Sequence, residues 1–169
     1  MLRIEEFKSA IRKGIARSNL YRVDLPFIPG GGDATTAERN YLCKAVNLPG
    51  RQITTNERQY GVKAEKMPYG FLHDDVSLTF NVTNDYALKL YFEAWQARII
   101  NPVTYELSYK SNYAKNVNIH QLDHNENVIY TCKLLEAYPT TMNAIQLSDE
   151  QNGLVEINVQ LSFKDWRPE

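Results

Sequence analysis

The chain has 169 residues, of which 43% are hydrophobic and 23% charged, which is typical of a single globular domain over residues 1–169. Its formal charge of −1, from 19 basic and 20 acidic residues, argues against a protein that binds nucleic acid by neutralising its phosphates. It does not argue against a protein that nucleic acid passes without being bound. No apolar run approaches the roughly 20 residues of a membrane span, and the N-terminus lacks a signal-peptide core. We therefore expect a cytosolic chain that contacts no membrane.

The first predicted element is a docking helix. Ile4, Phe7, Ile11 and Ile15 recur at helical spacing, which predicts an amphipathic helix over residues 4–16 within an N-terminal segment of residues 1–17. The basic residues of this segment are more typical of a solvated helix face than of an anion site.

Two short strands follow, separated by a glycine-rich loop. Alternation predicts a strand over residues 21–27, which Pro26 confines to a sheet edge or to the strand's end. Residues 30–32 are three glycines, but no Gly-Lys-Ser/Thr ending follows and Asp33 would repel phosphate, so the stretch is interpreted as a loop. A second strand is predicted over residues 41–46.

Residues 51–66 are polar and weakly patterned. Because they have little to bury, they indicate either a long hairpin that reaches out of the body or a mobile loop, and such segments are often functional. This segment is the first candidate for contact with a partner.

A strand pattern passes directly into a helix pattern over residues 76–96. Apolar and small uncharged polar side chains alternate over residues 76–83, as a half-buried strand requires. Asn84 and Asp85 can accept backbone N–H bonds at a helix start. The apolar residues of the predicted central helix are Leu88, Tyr91, Phe92, Trp95 and Ile99.

The C-terminal third predicts mainly strands. Residues 117–122 and 128–135 flank a turn-forming stretch and predict a hairpin. Residues 138–147 are predicted to be a short irregular or helical piece, and residues 152–153 a tight turn. The clearest strand covers residues 155–164, with one apolar and one polar face.

The residues that could carry chemistry do not form a recognisable active site. Cys43 and Cys132 are interpreted as buried thiols, because two cysteines so far apart in sequence do not indicate a disulfide framework. His120 and His124 have metal-ligand spacing only on a helix, and their surroundings predict strand and turn. Residues 73–75, His-Asp-Asp, lack a companion nucleophile motif. We therefore expect no enzyme, no metal and no cofactor.

Several segments together resemble the tail tube protein of contractile-tailed bacteriophages. They are residues 19–23, 42–50, 69–71, 76–85, 92–96, 138–140, 145–147 and 163–166. Their order and spacing cover nearly the whole chain, and the departures are an insertion at residues 30–40 and a longer N-terminal helix.

The resemblance implies a mainly β fold: a two-sheet β-barrel or sandwich with an N-terminal and a central helix, completed into a large barrel on ring assembly. It implies hexameric rings stacked into the inner tail tube of a virion, assembled in the host cytoplasm. A sheath protein would lie outside, the tape measure protein and transiently DNA would occupy the lumen, and a baseplate tube-initiator would adjoin the end.

If the chain forms such a tube, the polar faces of the strands predicted over residues 76–83 and 155–164 are a candidate wall of the lumen. A neutral wall would let DNA, which is densely negative, pass without being bound. The lumen-facing candidates are Ser77, Thr79, Asn81, Glu156, Asn158 and Gln160. The candidates for contact with an adjacent ring come from the polar segment: Arg51, Thr54, Asn56, Arg58, Tyr60 and Lys63.

Other functions stay open at this point. A baseplate tube-initiator and the inner tube of a phage-derived contractile injection system would share the fold and differ in their neighbours. A small-ligand-binding barrel or an enzyme would need converging polar or titratable groups in an enclosed pocket, whereas the polar residues here are dispersed.

Overall fold

The structure is a computed structural model that describes residues 4–12, 14–32, 34–149 and 153–169. The four helices are α1 (Ile4–Ile11), α2 (Thr36–Tyr41), α3 (Ala87–Ile99) and α4 (Lys110–Tyr113). The nine strands are β1 (Tyr21–Asp24), β2 (Cys43–Val46), β3 (Gln52–Tyr60), β4 (Lys63–Leu72), β5 (Val76–Asn81), β6 (Lys115–Leu122), β7 (Val128–Met142), β8 (Glu156–Ser162) and β9 (Asp165–Pro168). These counts refer to the described residues.

Seven strands form one antiparallel sheet in the order β1-β6-β7-β8-β5-β2, and β9 also pairs with β7. The long strand β7 joins the two halves of this sheet. Its first part pairs with β6 and β9, and its last part, from Tyr138, pairs with β8. Glu136 has a left-handed backbone, with φ of 51°, at the point where β7 passes from one half to the other. The fold is therefore mainly β with flanking helices, as predicted, and the described strands do not close a barrel.

The core lies between the sheet and α3. In β5 the side chains of Val76, Leu78 and Phe80 are fully buried. Their partners in β8 are also buried, and the ring of Phe80 lies 5.5 Å from that of Phe92 in α3. Predicted apolar residues of α3 from Leu88 to Trp95 are fully buried. The predicted core faces of β5 and β8 are thus confirmed, as is that of α3 from Leu88 to Trp95, whereas the predicted apolar residue Ile99 is half-buried.

Burial also sets the chemistry of the core's polar and sulfur groups. Tyr91 donates its hydroxyl to the carbonyl oxygen of Pro26 at 2.6 Å, and Trp95 donates its indole N–H to the carbonyl oxygen of Tyr113 at 2.8 Å. Burial raises the pKa of the Cys132 thiol to about 11. These groups stay neutral and contribute packing rather than reactivity.

The predicted bounds of three elements in the first part of the chain were wrong. The helix α1 ends at Ile11 instead of residue 16 and buries none of its residues, so it does not dock on this chain's core. The insertion at residues 30–40 contains α2, whose N-terminus has a capping box between Thr35 and Glu38. Because α2 extends to Tyr41, the following strand begins at Cys43 rather than at residue 41. The first strand ends at Asp24, before Pro26.

Four further predictions need correction or concern residues outside the described part of the chain. Residues 138–142 continue β7 instead of starting an irregular or helical piece, and β9 was not predicted. The helix α3 has Tyr86 at its N-cap, while Asp85 Oδ1 accepts the backbone N–H of Ala87 at 3.4 Å. The tight turn predicted at residues 152–153 includes Asn152, and the loop predicted at residues 29–33 includes Asp33; both residues lie outside the described part of the chain.

Candidate assembly surfaces

The six lumen-facing candidates lie on one face of two paired strands. The β5–β8 register pairs Ser77 with Gln160, Thr79 with Asn158 and Asn81 with Glu156. Residues opposite each other in an antiparallel pair project to the same side. The six side chains therefore form one continuous polar surface on the side of the sheet away from the core and α3.

Hydrogen bonds connect the middle of this surface. Asn158 donates its amide to Thr79 Oγ1 at 3.1 Å and accepts the hydroxyl of Ser77 at 3.3 Å. Glu156 forms an ion pair with Lys44. The one charged member of the set is therefore neutralised by Lys44 of β2, which lies on the other side of β5. The surface thus combines amide, hydroxyl and paired charged groups.

Sequence reasoning missed Lys44. It lies in β2, where a register shift between Cys43 and Ala45 interrupts the alternation. The contact with Glu156 forms only because β5 brings β2 and β8 into one sheet, across 112 residues of sequence. It therefore leaves no local signal in the alternation of apolar and polar residues in β2.

The segment at residues 51–66 belongs to a long hairpin. Among the described strands, β3 and β4 pair only with each other and form a separate two-stranded sheet. Apart from the half-buried Thr54 and Gly70, every residue of both strands is exposed. Gly61, with φ of 63°, begins the two-residue turn between Tyr60 and Lys63, as tight hairpins require. The hairpin thus projects from the body.

Five of the six inter-ring candidates share one face of this hairpin. Thr54, Asn56, Arg58 and Tyr60 alternate along β3, and Lys63 is the cross-strand partner of Tyr60. Residues of opposite charge also lie opposite each other in the hairpin register, Arg58 to Glu65 and Glu57 to Lys66. Such pairs stabilise the register of an exposed two-stranded sheet.

The sixth candidate, Arg51, lies at the base of the hairpin. Its guanidinium is 3.0 Å from Asp165 Oδ1 and lies over the rings of Phe71 and Trp166, at 4.8 and 5.0 Å from their centroids. On the other side of the base, His73 stacks on Phe163 with ring centroids 4.5 Å apart. Both sides of the base are therefore held by residues 163–166.

The other residues considered for chemistry lie apart from these surfaces. His120 contacts Asp24 Oδ2 and Thr131 Oγ1, each at 2.9 Å, whereas His124 lies in the β6–β7 turn. Among the described residues, no cluster of three or more His, Cys, Asp or Glu side chains could hold a metal ion. Nor does any helix in the described ranges combine the length and apolar character needed to cross a membrane.

Comparison with known proteins identifies the family. Residues 16–169 match the model of the phage tail tube protein family. Among curated protein sequences, nothing matches this chain.

Solved structures share the fold at low sequence identity. A chain of the PVC extracellular contractile injection system, in its extended sheath-tube complex, is 15% identical with a TM-score of 0.69, covering 95% of this chain and 96% of that one. A chain of the anti-feeding prophage baseplate is 18% identical, with a TM-score of 0.68 and coverages of 92% and 96%. Hcp1 from Flavobacterium johnsoniae is 13% identical, with a TM-score of 0.53 and coverages of 88% and 94%. The chain therefore belongs to the phage tail tube protein family and is a structural tube protein.

Proposed function

We propose that this chain forms hexameric rings that stack into the inner tube of a contractile tail, with DNA passing through the lumen during ejection. The tape measure protein occupies that lumen during assembly, a sheath surrounds the tube, and a baseplate initiator adjoins its end. The chain is then a non-enzymatic virion component, assembled in the host cytoplasm. The observation that carries the proposal is the continuous polar surface of β5 and β8.

This surface suits a conduit for a polyanion. DNA carries one negative charge per roughly 1.7 Å of helix axis, so a wall with free basic groups would bind it strongly. Here the hydroxyl and amide groups carry no charge, and Glu156 is paired with Lys44. Because α3 packs behind the same strands, it provides support on the side away from the lumen.

Unpaired strand edges support ring closure. Within the described residues, β2 pairs only with β5, and Tyr138–Met142 of β7 pair only with β8. The array β2-β5-β8-β7 therefore ends in two free edges, which a monomer would have to protect from aggregation. Head-to-tail pairing of these edges between six copies closes a ring and extends the polar surface around its lumen.

The projecting hairpin supports contact between rings. A two-stranded hairpin is at best marginally stable alone, and this one exposes apolar side chains that include Ile53, Tyr69 and Phe71. We assign its face with Thr54, Asn56, Arg58, Tyr60 and Lys63 to an adjacent ring. Arg51 belongs to the same contact region at the base of the hairpin.

Electron microscopy of the purified chain tests the assembly. Long hollow tubes are expected, because a tube subunit carries both lateral and stacking surfaces. Isolated rings that never stack would instead favour a baseplate initiator, and monomers would contradict the proposal.

Site-specific labelling tests the lumen. Gln160→Cys and Leu90→Cys are a matched pair, since both residues are exposed but lie on opposite sides of the sheet. After labelling with a maleimide-linked gold cluster, cross-sections should show gold inside the tube for Gln160→Cys and outside it for Leu90→Cys. The reverse pattern would refute the lumen assignment while leaving the tube intact.

A further inference from the structure

The helix α1 has an apolar face that its own subunit leaves uncovered. Ile4, Phe7 and Ile11 are spaced three and four residues apart and so share one side of the helix. No residue of α1 is buried, and Phe7 is 58% exposed. An isolated helix of eight residues is marginal in water and gains most of its stability from packing of an apolar face. The apolar face of α1 therefore indicates a contact with another molecule.

A groove of matching character lies between α3 and β7. It has a volume of about 620 Å³ and is lined mainly by apolar residues. Ala97, Ile99 and Ile100 contribute from the end of α3, and Tyr138 and Pro139 contribute from β7. Apolar residues that cluster at the surface in this way indicate an interaction site.

Backbone bonds hold the rim of this groove in place. After Ile100 the chain turns at Asn101 and returns, so that Leu107 forms a bridge with Ile100. The backbone N–H of Ser108 then donates to the carbonyl oxygen of Ile99 at 2.9 Å. Because the rim is already ordered, a helix that docks there loses little free energy to ordering of the groove.

The residues that follow α1 run beside β2, which is one free edge of the array β2-β5-β8-β7. The hydroxyl of Tyr21 donates to the carbonyl oxygen of Cys43 in β2 at 3.0 Å. Ser18 and Tyr21 also line a small cleft with Val46 and Leu48, where β2 ends. The N-terminal segment therefore joins the body of the subunit beside this edge.

The groove lies at the opposite edge of the array but at the same end. Asn47, directly after β2, donates its backbone N–H to the carbonyl oxygen of Ser77 at 3.3 Å, so β2 ends beside the start of β5 at Val76. At the other edge, Pro139 pairs with Leu161, which in turn pairs with Val76. β6 lines the cleft and α3 lines the groove, so both lie on the core side of the array rather than on its polar face.

We propose that the apolar face of α1 docks in the groove of a second copy of the chain, its neighbour in the same ring. The inference rests on the proposed closure of the ring, in which β2 of one copy pairs with Tyr138–Met142 of the next. That pairing brings the N-terminal segment beside β2 to the groove beside β7, since both lie at the same end and on the same side of the array. Each subunit then supplies one helix and one groove, as a head-to-tail ring requires. One half of the contact, α1, lies outside residues 16–169, which match the family model.

Thiol cross-linking in assembled rings or tubes tests the contact. The variant A10C/A97C places one thiol on α1 beside its apolar face and one in the groove, at two exposed alanines. A short bismaleimide is added after assembly. The matched control A10C/L154C moves the second thiol to an exposed residue that precedes β8, at the far end of the array.

Two further samples make the cross-link specific. The unsubstituted chain and each single-cysteine variant measure the background from Cys43 and Cys132. Rings assembled from a mixture of A10C chains and A97C chains contain the two introduced thiols only on different copies. A cross-linked dimer in this mixture therefore requires contact between two subunits.

Denaturing electrophoresis should show A10C/A97C as a ladder that ends at six chains, with loss of most of the monomer band, and no ladder for the control pair. A ladder that runs beyond six chains would place the helix on another ring, and cross-linking within single chains would place it on its own subunit. Either result would overturn the proposal, as would assemblies without cross-links or a ladder from A10C/L154C. If A10C/A97C does not assemble, the pair I11C/T140C is held to the same outcomes. Failure of the unsubstituted chain to form rings would instead refute the proposed function.

An alanine pair on α1 measures what the contact contributes. Phe7→Ala removes the largest side chain of the apolar face, and Ser9→Ala is the matched control on the other side of the helix. Because Phe7 is exposed in the single subunit, its loss should leave the urea midpoint of unassembled chains unchanged. It should raise the protein concentration at which half of the chains are assembled by at least about tenfold, whereas Ser9→Ala should not. Equal assembly by the two variants would contradict the docking of α1.

Discussion

Placing a carboxyl group at Val159 tests which face of β8 is core. Val159 is fully buried and lies opposite Leu78. In Val159→Asp, loss of apolar burial costs about 2 kcal/mol. An unpaired buried carboxyl group adds about 2 kcal/mol even when protonated. The free energy of unfolding should therefore fall by about 4 kcal/mol near pH 4, which is a large part of the roughly 5–15 kcal/mol of a typical domain.

The pH dependence sharpens this prediction. Burial raises the pKa of the introduced Asp in the folded state above its unfolded value of about 3.9. Stability relative to the unsubstituted chain is therefore highest below that unfolded pKa and falls as pH rises. The loss grows by about 1.4 kcal/mol per pH unit until the folded-state pKa is reached.

Asn158→Asp is the matched control on the adjacent, polar position. It loses the donor to Thr79 Oγ1, which costs about 1 kcal/mol, and its carboxylate stays on the half-exposed face. Urea denaturation of unassembled subunits, followed through the fluorescence of the buried Trp95, compares both variants at pH 4 and pH 6. Equal losses in the two variants, or no growth of the Val159→Asp loss with pH, would refute the face assignment.

Three smaller predictions concern groups of the subunit core and its helices. Tyr91→Phe removes the hydroxyl bond to the Pro26 carbonyl and should lower the free energy of unfolding by about 1 kcal/mol, measured by urea denaturation; no change would mean that the bond is absent in solution. Thr35→Ala breaks the capping box with Glu38 and should cost about 1 kcal/mol and speed amide exchange in α2, whereas unchanged exchange would contradict the cap. At pH 8 the thiol of Cys132, with a pKa of about 11, should resist iodoacetamide until urea exposes it, because roughly one molecule in a thousand carries the reactive thiolate; rapid labelling of the folded chain, located by mass spectrometry, would show that the thiol is not buried.

The elements that the sequence predicted well are those whose cause is local. The alternation in β5 and β8 and the helical spacing of α3 each reflect one face packed on a core, so the pattern and the burial agree. The helix α2 also had a local signal, since Thr35 and Glu38 have the spacing of a capping box. This spacing alone predicts where α2 begins.

The elements that were missed depend on distant partners. Pro139 suggested a break, because proline cannot donate to a strand ladder. It is nevertheless tolerated in β7, whose segment Tyr138–Met142 pairs with β8 alone among the described strands and leaves its other edge free. The four-residue strand β9 forms through pairing with residues 132–135 of β7. Neither pairing leaves a periodic signal in the short segment concerned.

The hairpin illustrates the same limit for function. Its segment appeared weakly patterned because neither of its faces packs on its own subunit, so no core imposes an alternation of apolar and polar residues. What orients it is instead the stacking of Arg51 between Phe71 and Trp166 and the ion pair to Asp165. Under the proposed stacking of rings, this outward-folded segment, which is fixed at its base, would gain its stabilising contacts from another copy of the chain. Its exposed apolar residues are therefore better understood as half of an interface than as an unfinished core.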